Sequence, residues 1–259
     1  MSVVTFAKWI ETAPQWVVGT PDWLQRFIFQ LYQCFIVGDR WKMFTSGLKI
    51  TFIVTIGALA LGVLIGLILA MIRTAYDSYT ANKPPFILKF FNFIVKVYLA
   101  VIRGTPMMVQ LLIMGFVIML PKTQPASIVC GIVTLGINSG AYVAEIIRSG
   151  LMSVDKGQTE AGRSLGFSYF QTMIFIVIPQ AIKNILPALG NEMITLLKDT
   201  SLVSVIALRD VTKQAQNIVS VTYNAFVPYI TLAVIYLLLV LILTKLLSIF
   251  EKRLRKSDH

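Results

Sequence analysis

Between Lys49 and Arg73 the sequence carries no charged residue. A run of that length is matched to hydrocarbon, since about 20 apolar residues in a helix cross the roughly 30 Å core of a bilayer. A helix also satisfies its own backbone hydrogen bonds where no water is present to do so. A first span is therefore expected over residues 46–72. Within it Ala58, Gly62, Gly66 and Ala70 recur every fourth residue. Such a small-residue stripe lets helix backbones approach closely in lipid, and close packing is preferred here to ligand contact.

The rest of the chain has the same character. Of the 259 residues 56% are hydrophobic and 14% charged, against about 25% charged in a soluble domain. Further spans are read at residues 97–120, 127–150, 185–208 and 226–249. The expected fold class is an all-α polytopic membrane protein with five transmembrane helices, residues 46–259, preceded by an N-terminal segment, residues 1–45. In that segment Trp23, Phe27, Leu31 and Phe35 alternate with polar residues at helical spacing. This predicts an amphipathic helix, capped by Asp22, lying in the membrane interface. Ile87 to Ile102, with Lys89 and Lys96 on an otherwise apolar face, is expected to be an interfacial elbow whose lysines reach towards lipid phosphates. Arg103-Gly104-Thr105-Pro106 interrupts the helical pattern after it. The third span is interrupted at its centre by Gly136-Ile137-Asn138-Ser139-Gly140, which either exposes backbone groups to a ligand or serves glycine-mediated packing.

The net charge of +11, from 23 basic and 12 acidic residues, fits basic loops that fix orientation better than nucleic-acid binding. Lys252, Arg253, Arg255 and Lys256 follow the last span closely, which places the C-terminus in the cytoplasm. Five spans then put the N-terminus outside and leave the loops at 73–86 and 151–184 cytoplasmic. No cleaved signal peptide is read at the start. Cys34 and Cys130 are too far apart in sequence to suggest a metal site or a disulfide framework.

The 151–184 loop is the unusual connection. Thr159 and Glu160 suit the start of a helix. Gly166 followed by Ser168 suggests that one short helix ends and another begins; the second runs from Tyr169 to Ile178 and is expected to stop at Pro179. Two short helices joined at a glycine make a rigid knob.

Glu160-Ala161-Gly162, then Gly166, then Ile176 and Ile178-Pro179 resembles the EAA loop of ATP-binding-cassette import permeases. Gly162 stands where the family has a third alanine, at a cost to the helix of up to about 1 kcal/mol, and Ile178 stands for leucine. Arg103-Gly104-Thr105-Pro106 with Gln110, Asn138-Ser139-Gly140-Ala141-Tyr142 through Glu145 and Arg148, and Leu197-Lys198-Asp199-Thr200-Ser201-Leu202 are similar to signatures of the polar amino-acid permeases. The resemblance covers the chain from about Ser46 to its end. It implies a multi-pass protein of a prokaryotic plasma or inner membrane, in a homo- or heterodimer of permease subunits. It also implies two cytosolic ATPases and an extracytoplasmic solute-binding protein that delivers a polar amino acid. Glu160, Ala161, Gly162, Gly166 and Pro179 would then couple the chain to the ATPase. No G-x-x-x-x-G-K-[ST] loop occurs in this sequence, so ATP and its Mg²⁺ are expected on the partner chain, with no cofactor or metal here.

Ionisable groups within spans are candidate functional residues. Asn191, Glu192, Thr195, Lys198 and Asp199 form one polar stripe on the fourth span. Its charges of both signs suit a zwitterion; internal ion pairing with a neighbouring helix is the structural alternative. Asn138 and Ser139 join Glu192, Thr195, Lys198 and Asp199 as substrate-path candidates, with Gln110, Glu145, Thr200 and Ser201 secondary. For Glu145, an ion pair with Arg148 three residues on is preferred to substrate contact.

Two other classes fit poorly. The sole histidine, His259, is the last residue, so there is no H-E-x-x-H motif, and Gly136-Ile137-Asn138-Ser139-Gly140 is not a nucleophile elbow. An ion-gradient-driven amino-acid carrier or channel is the alternative, against which stands the lack of an internal repeat.

Overall fold

The computed structural model describes residues 5–79 and 83–255, with Arg255 as backbone alone. Lys256 and His259 lie outside the described residues. Three short helices, α1 (Phe6–Thr12), α2 (Gln15–Val18) and α3 (Asp22–Phe35), precede the long α4 (Trp41–Asp77). Then come α5 (Phe86–Gly104), α6 (Met107–Ile113), α7 (Gln124–Met152), α8 (Lys156–Ser164), α9 (Tyr169–Thr172), α10 (Ile178–Asp199), α11 (Val211–Thr222) and α12 (Phe226–Arg255). No strand occurs among the described residues.

Four helical runs are long and apolar enough to cross a membrane: Val37–Asp77, Gln124–Met152, Tyr169–Ile206 and Phe226–Leu254. A fifth crossing is available if α5 and the run Met107–Ile118 count as one span, bent by 105°. The bend has a local cause. Pro106 disfavours helical geometry at the residue before it, and Thr105 is extended, with φ −117° and ψ 142°.

The 37 residues of α4 extend over about 55 Å, well beyond the apolar run that announced it. Its centre packs on α7 through the small-residue stripe. A Cβ added at Gly62 would lie 2.9 Å from Ser139 Cβ, and one added at Gly66 would lie 2.6 Å from Val143 Cγ1. In return, a Cβ at Gly136 would lie 2.8 Å from Leu61 Cδ2. Nothing larger than hydrogen fits at these three glycines, and α7 is unbroken from Gln124 to Met152. Gly136 to Gly140 is therefore a packing surface, and the interruption that would have exposed backbone to a ligand is absent.

Two helix ends also differ from expectation. Pro21 holds the cap position of α3, with Asp22 in its first turn, where a negative charge still meets the positive end of the helix dipole. On that helix Trp23 and Phe27 remain exposed, while Phe29 packs with Trp9 and Val17, and Cys34 with Phe44 and Ile218. Pro179 does not end the second short helix of the loop. It sits in the first turn of α10, and the helical run continues to Ile206. Proline lacks an N–H and its ring crowds the carbonyl four residues back; the wide π turn at Met173–Val177 takes up that mismatch.

Beyond α10, Ala207 adopts a left-handed conformation and is held by Gln124 at the head of α7. The Gln124 amide donates to Ala207 O at 3.1 Å, and its Oε1 accepts from Arg209 N at 3.1 Å. The polar stretch that follows is α11. Its N-cap, Asp210, is fully buried and accepts from the N–H groups of Thr212 and Lys213 at 3.0 and 2.9 Å. Burial raises the Asp210 carboxyl to about 6, against the lowering effect of those bonds.

Candidate functional site

The loop between α7 and α10 is built from its caps. Asp155 accepts from Gly157 N at 2.6 Å and starts α8 at Lys156, three residues before Thr159. Leu165 N and Gly166 N return to Ala161 O and Arg163 O at 3.0 Å, and Phe167 N to Gly162 O at 3.2 Å. The turn requires Gly166 for its φ of +86°, since no atom would crowd a side chain there. Ser168 and Gln171 then form a capping box that starts α9. The glycine at 162, where the import permeases have alanine, has a packing reason. Gly162 is buried against the π turn, and a Cβ there would lie 2.8 Å from both Ile176 Cδ1 and Thr172 Cγ2.

The knob presents Glu160 and Ala161 outward, next to Leu165 (77% exposed) and Phe170 (71% exposed). The sequence reading passed over both large apolar residues. Their signal was available: a leucine and a phenylalanine beside a glycine turn in a polar loop have no core to enter. Pro179 lies apart from this face, at the root of α10.

The polar stripe lies on α10. Asn191, Thr195 and Lys198 are exposed, while Glu192 and Asp199 are half-buried. Asn191 Nδ2 donates to Pro187 O at 3.3 Å, and Thr195 Oγ1 to Asn191 O at 3.2 Å. Glu192 reaches α7, where Oε1 accepts from Ser139 Oγ at 2.7 Å. Neither Glu192 nor Asp199 has a lysine or arginine within ion-pair distance among the described residues. The alternative of internal pairing is thus not met. Thr200 is buried and its hydroxyl donates to Leu197 O at 2.6 Å, while Ser201 O accepts from Ser204 Oγ at 2.9 Å.

Gln110 and Asn138 hold the bend between α5 and α6. The Gln110 amide donates to Ile102 O at 2.8 Å and to Thr105 Oγ1 at 2.9 Å, and Asn138 Nδ2 donates to Gln110 Oε1 at 3.0 Å. Gln110 is occupied in satisfying the backbone that Pro106 leaves open, and Asn138 holds Gln110 in place. Glu145 lies 3.8 Å from Arg148 and 3.8 Å from Arg73, so the expected i,i+3 pair exists and has a second cation.

Two cavities meet these residues. A groove of about 370 Å³ runs between α7 and α10, lined by Tyr142, Glu145, Ser149, Asn184, Ala188 and Glu192. A cleft of about 650 Å³ lies under the loop, with Asp77, Arg148, Lys156, Thr159, Glu160 and Tyr169 among its walls. The groove brings Glu192 and Glu145 together; Lys198, Asp199, Thr200 and Ser201 lie further along the helical run, outside its lining.

A family model described as the binding-protein-dependent transport system inner membrane component matches residues 62–256. The chain is 38% identical to an arginine transport system permease protein of Bacillus subtilis, over 82% of this chain and 93% of the relative. It is 35% identical to a glutamine transport system permease protein of Escherichia coli, over 81% and 92% respectively. A crystal structure of an amino acid ABC transporter with histidines superposes with a TM-score of 0.73 at 42% identity, covering 90% of this chain and 99% of that one. An inward-facing methionine ABC transporter shares the fold, with a TM-score of 0.67 at 17% identity.

Proposed function

The chain belongs to the family of binding-protein-dependent transport system inner membrane components, and from that premise we propose that it is a permease subunit that moves polar amino acids through an ATP-driven importer. The observation that carries this reading is the knob: two capped helices locked at Gly166, offering Glu160, Ala161, Leu165 and Phe170 to a partner outside the bilayer. A rigid, partly apolar projection of this kind suits insertion into a groove of a cytosolic ATPase. ATP and Mg²⁺ would be bound by that separate chain, two copies of which would serve a homo- or heterodimer of permeases. An extracytoplasmic solute-binding protein would deliver the amino acid. In this arrangement the membrane is the plasma or inner membrane of a prokaryote, with the N-terminus outside and the C-terminus in the cytoplasm, as the basic residues after the last span favour.

The substrate path in this reading passes the groove between α7 and α10 and continues along the stripe. Glu192 is the leading contact, because a half-buried carboxylate with a hydroxyl partner and no cation suits an ammonium or guanidinium group. Thr195, Lys198 and Asp199 would take the remaining polar ends of the substrate. Ser139 orients Glu192, and its neighbour Asn138 would join the path through Gln110 at the bend between α5 and α6.

The test is copurification and reconstitution. The tagged chain should bring down an ATPase that Gly166→Trp or Glu160→Ala releases, and its proteoliposomes should take up amino acids only when ATP is supplied. Uptake that persists without ATP while an ion gradient is intact would establish a carrier instead.

A further inference from the structure

The cytoplasmic ends of α4 and α7 carry four charges that the transport path does not use in full. Arg73 and Asp77 continue the face of α4 on which Gly62, Gly66 and Ala70 pack against α7. Glu145 and Arg148 stand opposite them. Arg148 Nη1 donates to Asp77 Oδ2 at 3.2 Å, whereas Arg148 Nε and Arg73 Nη1 both stop at 3.8 Å from Glu145, beyond hydrogen-bond range. Arg148–Asp77 and Arg73–Glu145 join α4 to α7, whereas Arg148–Glu145 lies within α7.

The cluster is incompletely satisfied. Arg73 Nε, Arg148 Nε and Thr74 Oγ1 are buried without a hydrogen-bond partner, three of the five such atoms among the described residues. A buried donor left without an acceptor is destabilising, so an arrangement that brings Glu145 within reach of Nε competes with the one seen. The position of the cluster is equally specific. Glu145 lines the groove that holds Glu192, and Arg148, three residues on, lines the cleft under the knob with Asp77, Lys156 and Glu160.

We propose that Arg148 is a positioning residue that passes between two carboxylates and thereby links the knob to the groove. In the arrangement shown it is held by Asp77 on the cleft side. Movement of α8 that carries Lys156 towards Asp77 offers that carboxylate another cation, and Arg148 then closes the 3.8 Å gap to Glu145. Charge is conserved in the exchange, and the carboxylate facing the groove gains a direct hydrogen bond from Arg148 in place of the 3.8 Å contact as the loop moves. Because the seam above admits no slippage, less than about 1 Å of local motion decides between two arrangements rather than a continuum.

The inference rests on the reading of the loop as the ATPase contact, and its test separates the two. In proteoliposomes of the full complex, the quantity read is amino acid transported per ATP hydrolysed. Arg148→Gln should lower it roughly tenfold, the worth of a lost charged hydrogen bond, with the ATPase still bound. Arg148→Lys, which keeps a movable cation, should retain most of it. The exchange of Asp77→Arg with Arg148→Asp restores the link between α4 and α7 but sets an anion beside Glu145, and should not rescue coupling. Rescue by the exchange, or wild-type coupling in Arg148→Gln, would overturn the proposal, as would loss of bound ATPase as the sole defect. A wild-type complex without an ATPase and without ATP-driven uptake would instead remove the reading on which it stands.

Discussion

Ser139 Oγ donates to Glu192 Oε1 at 2.7 Å across the contact of α7 with α10, and it is the hydrogen-bond partner found for that carboxylate. The bond fixes where a half-buried negative charge points within the groove. Ser139→Ala removes it and keeps the Cβ that packs beside Gly62. Loss of one bond to a charged group is worth about 1.5–3 kcal/mol, so the concentration of amino acid giving half-maximal uptake should rise roughly ten- to 150-fold. Initial-rate uptake in proteoliposomes measures this. An unchanged value in an intact complex would remove Glu192 from the path.

Much of this site was legible in the sequence, and the reason is periodicity. Residues 191, 192, 195, 198 and 199 share a helix face whatever the tertiary structure, and Gly166 with Ser168 marks a stop and a start by backbone chemistry alone. What was not legible depends on partners distant in sequence. Gln110 and Asn138 read only as polar groups in apolar runs; the bend at Pro106 shows that Gln110 serves the Ile102 carbonyl and Asn138 serves Gln110. Gly136 to Gly140 read as a possible break because a glycine gives no sign of the side chain that fills its space, here Leu61 and Ile65. Pro179 read as a stop because the π turn that absorbs it has no sequence signature.

The knob gives a contrast between two glycines. At Gly166 the requirement is conformational, and Gly166→Ala places a Cβ in the left-handed region at about 1–2 kcal/mol, with empty space around it. At Gly162 the requirement is spatial, because a methyl group would press on Thr172 Cγ2 and Ile176 Cδ1 at 2.8 Å. Thr172→Ser removes one of those contacts and keeps the hydroxyl that bonds Ser168 O. It should therefore recover ATPase binding in Gly162→Ala and leave Gly166→Ala unimproved. Equal recovery in both would show that the loop is not held by these two separate constraints. The readout is the amount of ATPase retained on the tagged chain after washing.

Asp210 gives the pH dependence. The buried native carboxyl holds its proton up to about 6, whereas an unfolded aspartate releases it near 3.9. Between those values the native state binds more protons than the unfolded state, so stability falls as pH rises through the window. The ionised form costs on the order of 3 kcal/mol relative to the acid limit. Asp210→Asn keeps an oxygen for the N–H groups of Thr212 and Lys213 and removes the buried charge. Its melting temperature in detergent should exceed that of the wild type at pH 7.5, with the difference closing below about pH 4. A difference independent of pH would locate the effect outside this ionisation.

The same carboxylate lies where α4 meets α11, and there the smallest possible substitution should be the most damaging. A Cβ at Gly47 would lie 2.7 Å from Val211 Cα, 2.8 Å from Val211 N and 2.9 Å from Asp210 C. All three are backbone atoms in the first turn of a capped helix, so no rotamer change can clear them. Overpacking of this kind costs about 1–3 kcal/mol, and here the displaced turn also carries the buried bonds to Asp210 and the contact of Val211 N with Thr51 Oγ1 at 3.4 Å. Gly104→Ala is the matched control: it sits at the end of α5 with nothing within 4 Å, and alanine is the better helix former. Gly47→Ala should therefore lower the yield of monodisperse protein in detergent and its melting temperature by several degrees, while Gly104→Ala leaves both at or above the wild-type level. If the two variants behave alike, α11 is not anchored on α4 at this point.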